Sequence, residues 1–342
     1  MFSDFSFISA NTASGFKSFF DGAFTDCEYR YIIKGGPGTG KSSFMRRIGR
    51  AAEEKGHRVE YFLCSSDPDS LDGIIITDMK IGITDGTSPH PSDVDIAGVN
   101  SEILNFGSLW NGAKIKKSAD KITALTERKS RLYDVAYRAL RAVYISENIS
   151  HSFALEAFNT EKAAGFVHRL ARSYPAGSGK KRKIRLRDAY GMSGHTTLSL
   201  PHGKVNYRIL PMHGAEYILA CMMAEEFERR GHALTVYPRA LDGEKISAFT
   251  VPELDLTVYV GDGADDAKKI NTERFVAKET LARNKNKIKF SERCAAEFEK
   301  EVLDAFAEIR EAHFALEKIY SSAMSFRKLD LFTDKFINNL LG

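Results

Sequence analysis

The chain has 342 residues, of which 43% are hydrophobic and 27% charged, with a formal net charge of +4. This length is sufficient for two domains that each bury a core, and the composition excludes a disordered chain. The small net charge gives no reason to expect nucleic acid or an anionic membrane as a partner. The cysteines are scattered without a CxxC pair, which argues against a disulfide framework or a zinc cluster.

The first residues, MFSDFSFISANTASGF, lack the basic start and apolar core of a signal peptide. No apolar run approaches the roughly 20 residues that a membrane-spanning helix needs. We therefore expect a cytoplasmic protein without a membrane partner.

A short β-type run, Arg30–Ile33, leads into a glycine-rich loop and then a helical stretch, Phe44–Lys55. The loop Gly35–Ser42 reads GGPGTGKS and matches GxxxxGK[ST] in the required strand–loop–helix context. Glycines let backbone N–H groups approach phosphate oxygens, and the helix start adds the positive end of its dipole. The predicted nucleotide-binding residues are Gly35, Gly36, Pro37, Gly38, Thr39, Gly40, Lys41, Ser42 and Ser43.

Within this loop, Lys41 is predicted to act in catalysis by contacting the β- and γ-phosphates, and Ser42 to ligate Mg²⁺. A guanine-specific NKxD element is missing, because the nearest match, Asn284–Lys287, ends in lysine. The predicted cofactors are therefore ATP and Mg²⁺.

Three carboxylates, Asp67, Asp69 and Asp72, follow the second predicted strand, at 58–63. Ligands of α/β proteins collect at the carboxyl edge of the sheet. Asp67 is predicted as a catalytic residue that orients water or contacts a second substrate. Asp-Pro and Ser-Asp are also ordinary loop chemistry, so a purely local role stays open.

Two more apolar runs, at 73–76 and 80–84, read as strands, and the latter ends in Asp85. Asp85 is predicted as a catalytic residue and Mg²⁺ ligand of the Walker B type. An Asp-Gly turn is the alternative interpretation. Gly86 stands where many AAA-type ATPases have a glutamate, so the hydrolytic base must come from elsewhere or hydrolysis is slow.

The sequence also indicates an internal duplication. Gly56-His57 and Gly231-His232 lie 175 residues apart, and this offset keeps the following apolar runs aligned. Segment 136–144 matches 312–320 at an offset of 176, and 11–16 matches 159–166. Each unit closes with a long amphipathic helix that has apolar residues at helical spacing. In the first unit these residues are Ile122, Leu125, Leu132, Val135, Ala136, Ala139, Leu140 and Val143. In the second unit they are Phe298, Val302, Phe306, Ile309 and Leu316.

The predicted fold is therefore a duplicated α/β P-loop NTPase fold with a mostly parallel sheet flanked by helices. Residues 1–150 form a domain with an intact Walker A loop, and residues 151–342 form a second domain with a degenerate site. At the 175 offset, Glu216 replaces Lys41, and its negative charge would repel phosphate. An alternative alignment places the degenerate loop at 191–196, with His195 in the lysine position. Either alignment predicts one site per chain.

The stretch Gly179–Arg187 is strongly basic. Such residues can contact phosphates of nucleic acid or lipid, but they also protect sheet edges. We favour an edge strand or solvated loop and keep a nucleic-acid partner as the alternative.

Three segments, GGPGTGKSS, CSSDPDSLDG and ITDGTSPH, together with the duplicated layout, resemble a poorly characterised family of bacterial ATPases with tandem P-loop units. The resemblance implies P-loop α/β domains and ATP binding at Gly35–Ser42. Both units of that family often look nucleotide-competent, which this chain does not share. The position of Asp67 is also similar to that of the water-activating acid in RecA-type ATPases.

The function expected first is an ATPase whose cycle drives a conformational or partner-binding switch. A small-molecule or nucleotide kinase is one alternative, because GGPGTGKSS also resembles nucleotide kinases. A non-hydrolysing, nucleotide-dependent interaction module is another, in which the long helices bind a protein partner or a second copy of the chain.

Overall fold

The computed structural model describes residues 4–87, 96–179 and 181–342 and has an α/β fold of two similar halves, called unit one and unit two. Unit one contains the strands β1 (Asp4–Phe7), β2 (Ser9–Thr12), β3 (Gly15–Ser18), β4 (Tyr29–Lys34), β5 (Val59–Leu63), β6 (Leu71–Ile76), β7 (Ile81–Asp85) and β8 (Ser101–Asn105). Its helices are α1 (Phe20–Phe24), α2 (Lys41–Glu54), α3 (Gly112–Lys116) and α4 (Ala119–Ala157).

Unit two contains the strands β9 (Arg182–Ile184), β10 (Asp188–Gly191), β11 (Gly194–Thr197), β12 (Val205–Ile209), β13 (Leu234–Pro238), β14 (Ile246–Val251), β15 (Leu256–Val260) and β16 (Lys268–Ile270). Its helices are α5 (Thr160–Arg172), α6 (Ala215–Arg229), α7 (Lys278–Ala323) and α8 (Phe326–Leu341). Within the described ranges, no helix combines the length and the apolar character needed to cross a membrane.

The main sheet of each unit is mixed. Their strand orders are β1-β5-β6-β7-β4-β8 and β9-β13-β14-β15-β12-β16. β6 and β14 run antiparallel to both of their neighbours, whereas the other neighbours pair in parallel. The expectation of a mostly parallel sheet is wrong, because residues 64–70 and 77–80 join β5, β6 and β7 directly. A parallel crossover needs about a dozen residues or more.

The matching strand orders confirm the internal duplication, but the offset between the units is not constant. Residues 81 and 256 begin β7 and β15, in agreement with the predicted offset of 175. The one-turn helices Phe106–Leu109 and Thr272–Phe275, each capped by an asparagine, are 166 residues apart. The predicted match of the closing helices at an offset of 176 is therefore wrong, because residues 86–100 form a longer connection than residues 261–267.

The N-terminal landmark of the repeat also differs from the prediction. Residues 11–16 belong to the hairpin β2–β3, whose counterpart is the hairpin β10–β11. The predicted counterpart, 159–166, instead begins α5. The two hairpins touch, and the Asn11 side-chain amide donates to the Tyr190 carbonyl at 2.8 Å.

The long helices α4 and α7 form an antiparallel pair that runs through both units. The Asn111 N–H donates to the Ala323 carbonyl and the Ala277 N–H to the Ala157 carbonyl, both at 2.8 Å. The start of each helix therefore lies beside the end of the other. The predicted boundary at residue 150 falls inside α4. The predicted apolar stripes are largely buried, with Val135 and Phe298 more than 40% exposed.

The helix that follows each long helix packs against the other unit. α5 follows α4 and packs on α6 of unit two. α8 follows α7 and packs on α2 of unit one, where the Phe332 ring stacks on Phe44 and the Phe336 ring contacts Phe44 at a tilt. Arg47 on α2 also pairs with Asp330 and Asp334 at 2.8 and 2.5 Å. The C-terminal helix thus completes the core of unit one, next to the predicted nucleotide loop.

Candidate functional site

The predicted phosphate-binding loop joins β4 to α2 at one edge of the unit-one sheet. Gly38 and Gly40 have φ angles of 67° and 86°, in the left-handed region that favours glycine. The Thr39 hydroxyl donates to the Gly36 carbonyl at 2.8 Å and stabilises the turn. Gly40 is the N-cap of α2, and no side chain of the described residues caps this helix end. The first turn of α2 therefore presents N–H groups suited to an anion.

The loop glycines also allow the distant helix α7 to pack closely. A Cβ at Gly36 would lie 3.0 Å from the Tyr320 ring, and one at Gly38 would lie 2.8 Å from the Glu317 carbonyl oxygen. Both distances are too short for ordinary contact. Glycine at these two positions therefore lets α7 lie directly against the loop.

Lys41 lies folded across the loop. Its ammonium donates to the carbonyls of Gly35 and Gly36 at 3.0 and 2.8 Å. The same ammonium lies 3.4 Å from Asp85 Oδ2, and the two side chains are 10% and 16% exposed. β7 is adjacent to β4, with Ile33 opposite Asp85. Sheet pairing thus brings together two predicted site residues that are distant in sequence.

The two carboxylate oxygens of Asp85 make different contacts. Its Oδ1 accepts from the Thr87 N–H at 2.8 Å, which is the expected turn contact. Its Oδ2 faces Lys41. Burial raises the pKa of Asp85, and the Lys41 cation opposes this increase. A partly desolvated carboxylate of this kind gains from a nearby cation. Ser88–His90 of the ITDGTSPH segment lie outside the described residues.

Ser42 and Asp85 offer a hydroxyl and a carboxylate, the hard oxygen donors that Mg²⁺ prefers. The Ser42 Oγ accepts from the Leu71 N–H at 3.1 Å, which orients the hydroxyl while leaving its proton and second lone pair. The described residues contain no cluster of three or more His, Cys, Asp or Glu ligands. Mg²⁺ commonly uses one or two protein ligands with phosphates and water, so this donor set fits the predicted ion.

The acidic segment after β5 divides into two groups. The Asp67 carboxylate accepts from the Ser70 hydroxyl at 2.6 Å, and the Asp67 carbonyl accepts from the Ser70 N–H at 2.8 Å. Asp67 therefore forms a local turn, yet Asp67 and Asp69 also line the cavity beside Lys41. Asp72 also lines this cavity, but it is only 3% exposed and accepts from the Ser9 hydroxyl at 3.3 Å.

The loop opens into a cavity of about 490 Å³. Its far wall comes from segments that sequence analysis did not connect with the site. These residues are Lys129 and Tyr133 of α4, Met192 of the β10–β11 turn, His313 and Glu317 of α7, and Phe326 of α8. The available sequence signal was the four-residue spacing of the pairs 129 with 133 and 313 with 317, which places each pair on one face of its helix.

Glu317 lies beside the loop. Its carboxylate is 3.7 Å from His313 Nε2 and close to the Gly38 N–H. The His313 side chain lowers the pKa of Glu317, and the Gly38 N–H and the Lys41 cation add to this effect. The carboxylate is therefore near an N–H group that a phosphate oxygen would use.

Unit two fills its corresponding loop with its own side chain. The buried positions of α2 and α6 coincide at the 175 offset, which places Glu216 opposite Lys41. The Glu216 carboxylate accepts from the N–H groups of Met212 and Gly214 at 2.7 and 2.9 Å. The alternative degenerate loop, at 191–196, is wrong, because it is the turn and second strand of the hairpin β10–β11.

The basic stretch forms an edge strand, as the favoured interpretation expects. β9 pairs with β13 at the end of the unit-two sheet. Lys183 and Arg185 reach Glu60 at 3.6 and 2.7 Å, and Lys181 pairs with Asp26. A larger cavity of about 840 Å³ lies beside this strand, away from the loop. Lys180 lies outside the described residues.

Comparison with known proteins finds no matching family model, no matching curated protein and no matching solved structure. The resemblance to tandem P-loop ATPases therefore rests on the sequence motifs alone.

Proposed function

We propose that this protein binds ATP with Mg²⁺ at residues 35–43. We further propose that ATP hydrolysis changes the conformation of its two units relative to each other. The main support is the convergence of three features on one cavity: the uncapped start of α2, the Lys41 ammonium and the Asp85 carboxylate. We further propose that the chain is related to the tandem P-loop ATPases that it resembles and works in the cytoplasm.

A triphosphate tail would replace contacts that the loop now makes internally. Lys41 would leave the carbonyls of Gly35 and Gly36 and contact the β- and γ-phosphates. Backbone N–H groups of the loop and the first turn of α2 would bind the remaining oxygens. The backbone donors are already positioned by the fold, whereas Lys41 has to exchange its carbonyl contacts for phosphate contacts.

Ser42 and Asp85 would hold Mg²⁺, directly or through water. When bound, Mg²⁺ neutralises charge on the transferring phosphoryl group. Asp67, which lines the same cavity, would orient the attacking water. Its contact with Ser70 keeps its carboxylate in place without neutralising it.

The switch would act through α7. Nucleotide entry would move the Glu317 carboxylate away from the Gly38 N–H, and α7 continues from this point into unit two. α7 also pairs along its length with α4. A change at the loop therefore reaches both units through one pair of packed helices.

The direct test is calorimetry with ATP, ADP and GTP in the presence of Mg²⁺, followed by phosphate-release assays on the purified protein. The proposal expects ATP binding and ADP formation without an added acceptor. Turnover only when a nucleoside or small-molecule acceptor is added would instead identify a kinase. Binding without turnover would identify an interaction module, and failure of every triphosphate to bind would refute the proposal.

We expect Glu317→Gln to increase ATP affinity. The substitution removes a negative charge that competes with phosphate for the Gly38 N–H and faces Lys41. Loss of one such charge–charge contact should tighten binding by about 3- to 30-fold. Calorimetry of the variant beside Glu301→Gln, an exposed site on the same helix, measures the effect. Unchanged or weaker affinity in Glu317→Gln alone would contradict competition by this carboxylate.

Glu216→Lys should not create a second nucleotide site. The Glu216 carboxylate bonds two loop N–H groups, and the His151 ring lies where a Cβ of Gly214 would be. The variant loses these contacts and should be destabilised by roughly 1–3 kcal/mol. Titration should give one site per chain, as for Glu225→Lys on the exposed face of α6. A stoichiometry of two would contradict the assignment of unit two as degenerate.

A further inference from the structure

Lys129 brings a second cation to the proposed nucleotide cavity. It lies on α4, far from the loop in sequence, and lines the same cavity as Lys41 and Asp67. Tyr133, one turn later on the same face of α4, donates to the Ser66 hydroxyl at 3.0 Å. This contact fixes α4 against the segment that carries Asp67.

Lys129 differs from the other cations of the cavity because it lacks a partner. Lys41 donates to two carbonyls, and Arg46 donates to the Asp69 carbonyl. Among residues 4–87, 96–179 and 181–342, Lys129 makes no hydrogen bond or ion pair. Its side chain is half-buried, and this burial lowers the pKa of Lys129.

The Lys41 charge is balanced by Asp85, whereas the charge of Lys129 is not balanced by a described residue. A half-buried cation without a partner loses hydration that nothing replaces. A polyanion that contacts Lys41 would bring negative charge into the cavity that Lys129 also lines. A triphosphate carries one more phosphate than a diphosphate into this cavity, and that phosphate is the natural partner for a second cation.

We propose that Lys129 is a catalytic residue that contacts the γ-phosphate of bound ATP and thereby distinguishes ATP from ADP. This inference rests on the proposed function and names the phosphate that Lys129 would contact. The γ-phosphate joins α4 to the loop on α2, and its release leaves Lys129 without a partner. α4 extends from this contact to α5 and unit two. Binding or loss of the γ-phosphate would therefore change the contacts of a helix that reaches unit two.

The test compares the dissociation constants of a non-hydrolysable ATP analogue and of ADP, both with Mg²⁺, by calorimetry. In Lys129→Ala, the affinity for the ATP analogue should fall by about 10- to 100-fold, as expected for loss of one charge-assisted contact. The affinity for ADP should change by less than about 3-fold, because ADP lacks the phosphate in question. Lys129→Arg should restore most of the preference for the triphosphate.

The control is Lys121→Ala, an exposed lysine on the same helix, which should leave both affinities unchanged. Equal losses of affinity for the ATP analogue and ADP in Lys129→Ala would overturn the inference, since a structural defect affects both ligands. Wild-type affinity for both ligands would overturn it as well, while the proposed function would stand. If the wild-type protein binds neither ligand, the proposed function itself fails and the inference fails with it.

Discussion

Lys41→Ala is expected to weaken ATP binding by about 100- to 1000-fold, the largest binding effect of any single substitution in this chain. The Lys41 ammonium is 10% exposed and already desolvated by the loop and by Asp85. Charge-assisted contacts to phosphate in such a setting are stronger than those at an exposed surface. Without the ammonium, the loop N–H groups remain, but Asp85 faces the phosphates with its negative charge uncompensated.

Titration of the variant with ATP and Mg²⁺ by calorimetry measures this effect. Arg50→Ala, on the exposed face of the same helix, is the matched control and should bind ATP normally. The thermal unfolding midpoint of Lys41→Ala is measured alongside, because Asp85 loses its ion-pair partner in this variant. Normal ATP affinity in a folded Lys41→Ala protein would remove the basis of the proposed site.

Asp85→Asn should reduce ATP hydrolysis by on the order of 100- to 1000-fold, as for loss of one preorganised charge at a transferring group. The amide retains the shape of the side chain and can still accept from the Thr87 N–H. It lacks the negative charge that holds Mg²⁺. Binding of ATP measured with a chelator should therefore persist, while the gain in affinity on adding Mg²⁺ should disappear.

Asp78→Asn, in the exposed turn after β6, is the control for Asp85→Asn and should hydrolyse ATP at the wild-type rate. Because burial raises the pKa of Asp85, its ionised form is lost at a higher pH than for an exposed aspartate as the solution is acidified. The wild-type rate should therefore fall on acidification before exposed carboxylates titrate. If Asp85→Asn kept the wild-type rate and magnesium dependence, another residue would have to hold the ion.

The prediction of a mostly parallel sheet was wrong for a reason that is visible in the sequence. The alternation of apolar runs and helices favoured a parallel sheet, but the runs at 58–63, 73–76 and 80–84 have no helix between them. Connections as short as 77–80 join antiparallel neighbours. The error in the repeat offset is different, because only the structure shows that the insertion lies between β7 and β8.

The near side of the candidate site follows from local sequence, and the far side does not. Gly35–Ser42 and Asp85 were predicted as site residues because loop geometry and strand ends follow local rules. Lys129, Tyr133, His313 and Glu317 were not, because helices carrying them are long, mostly polar on their exposed faces and distant in sequence. Their position depends on the antiparallel packing of α4 on α7.

The sequence by itself determined the α/β class, the duplication, the positions of the central strands and the predicted loop, since these depend on periodicity and local turn chemistry. The tertiary structure decided that α8 completes unit one, that the loop glycines accommodate Tyr320 and Glu317, and that Glu216 fills the loop of unit two. The physical reason is that close packing joins side chains hundreds of residues apart, and no local pattern encodes which distant helix will cover a given loop.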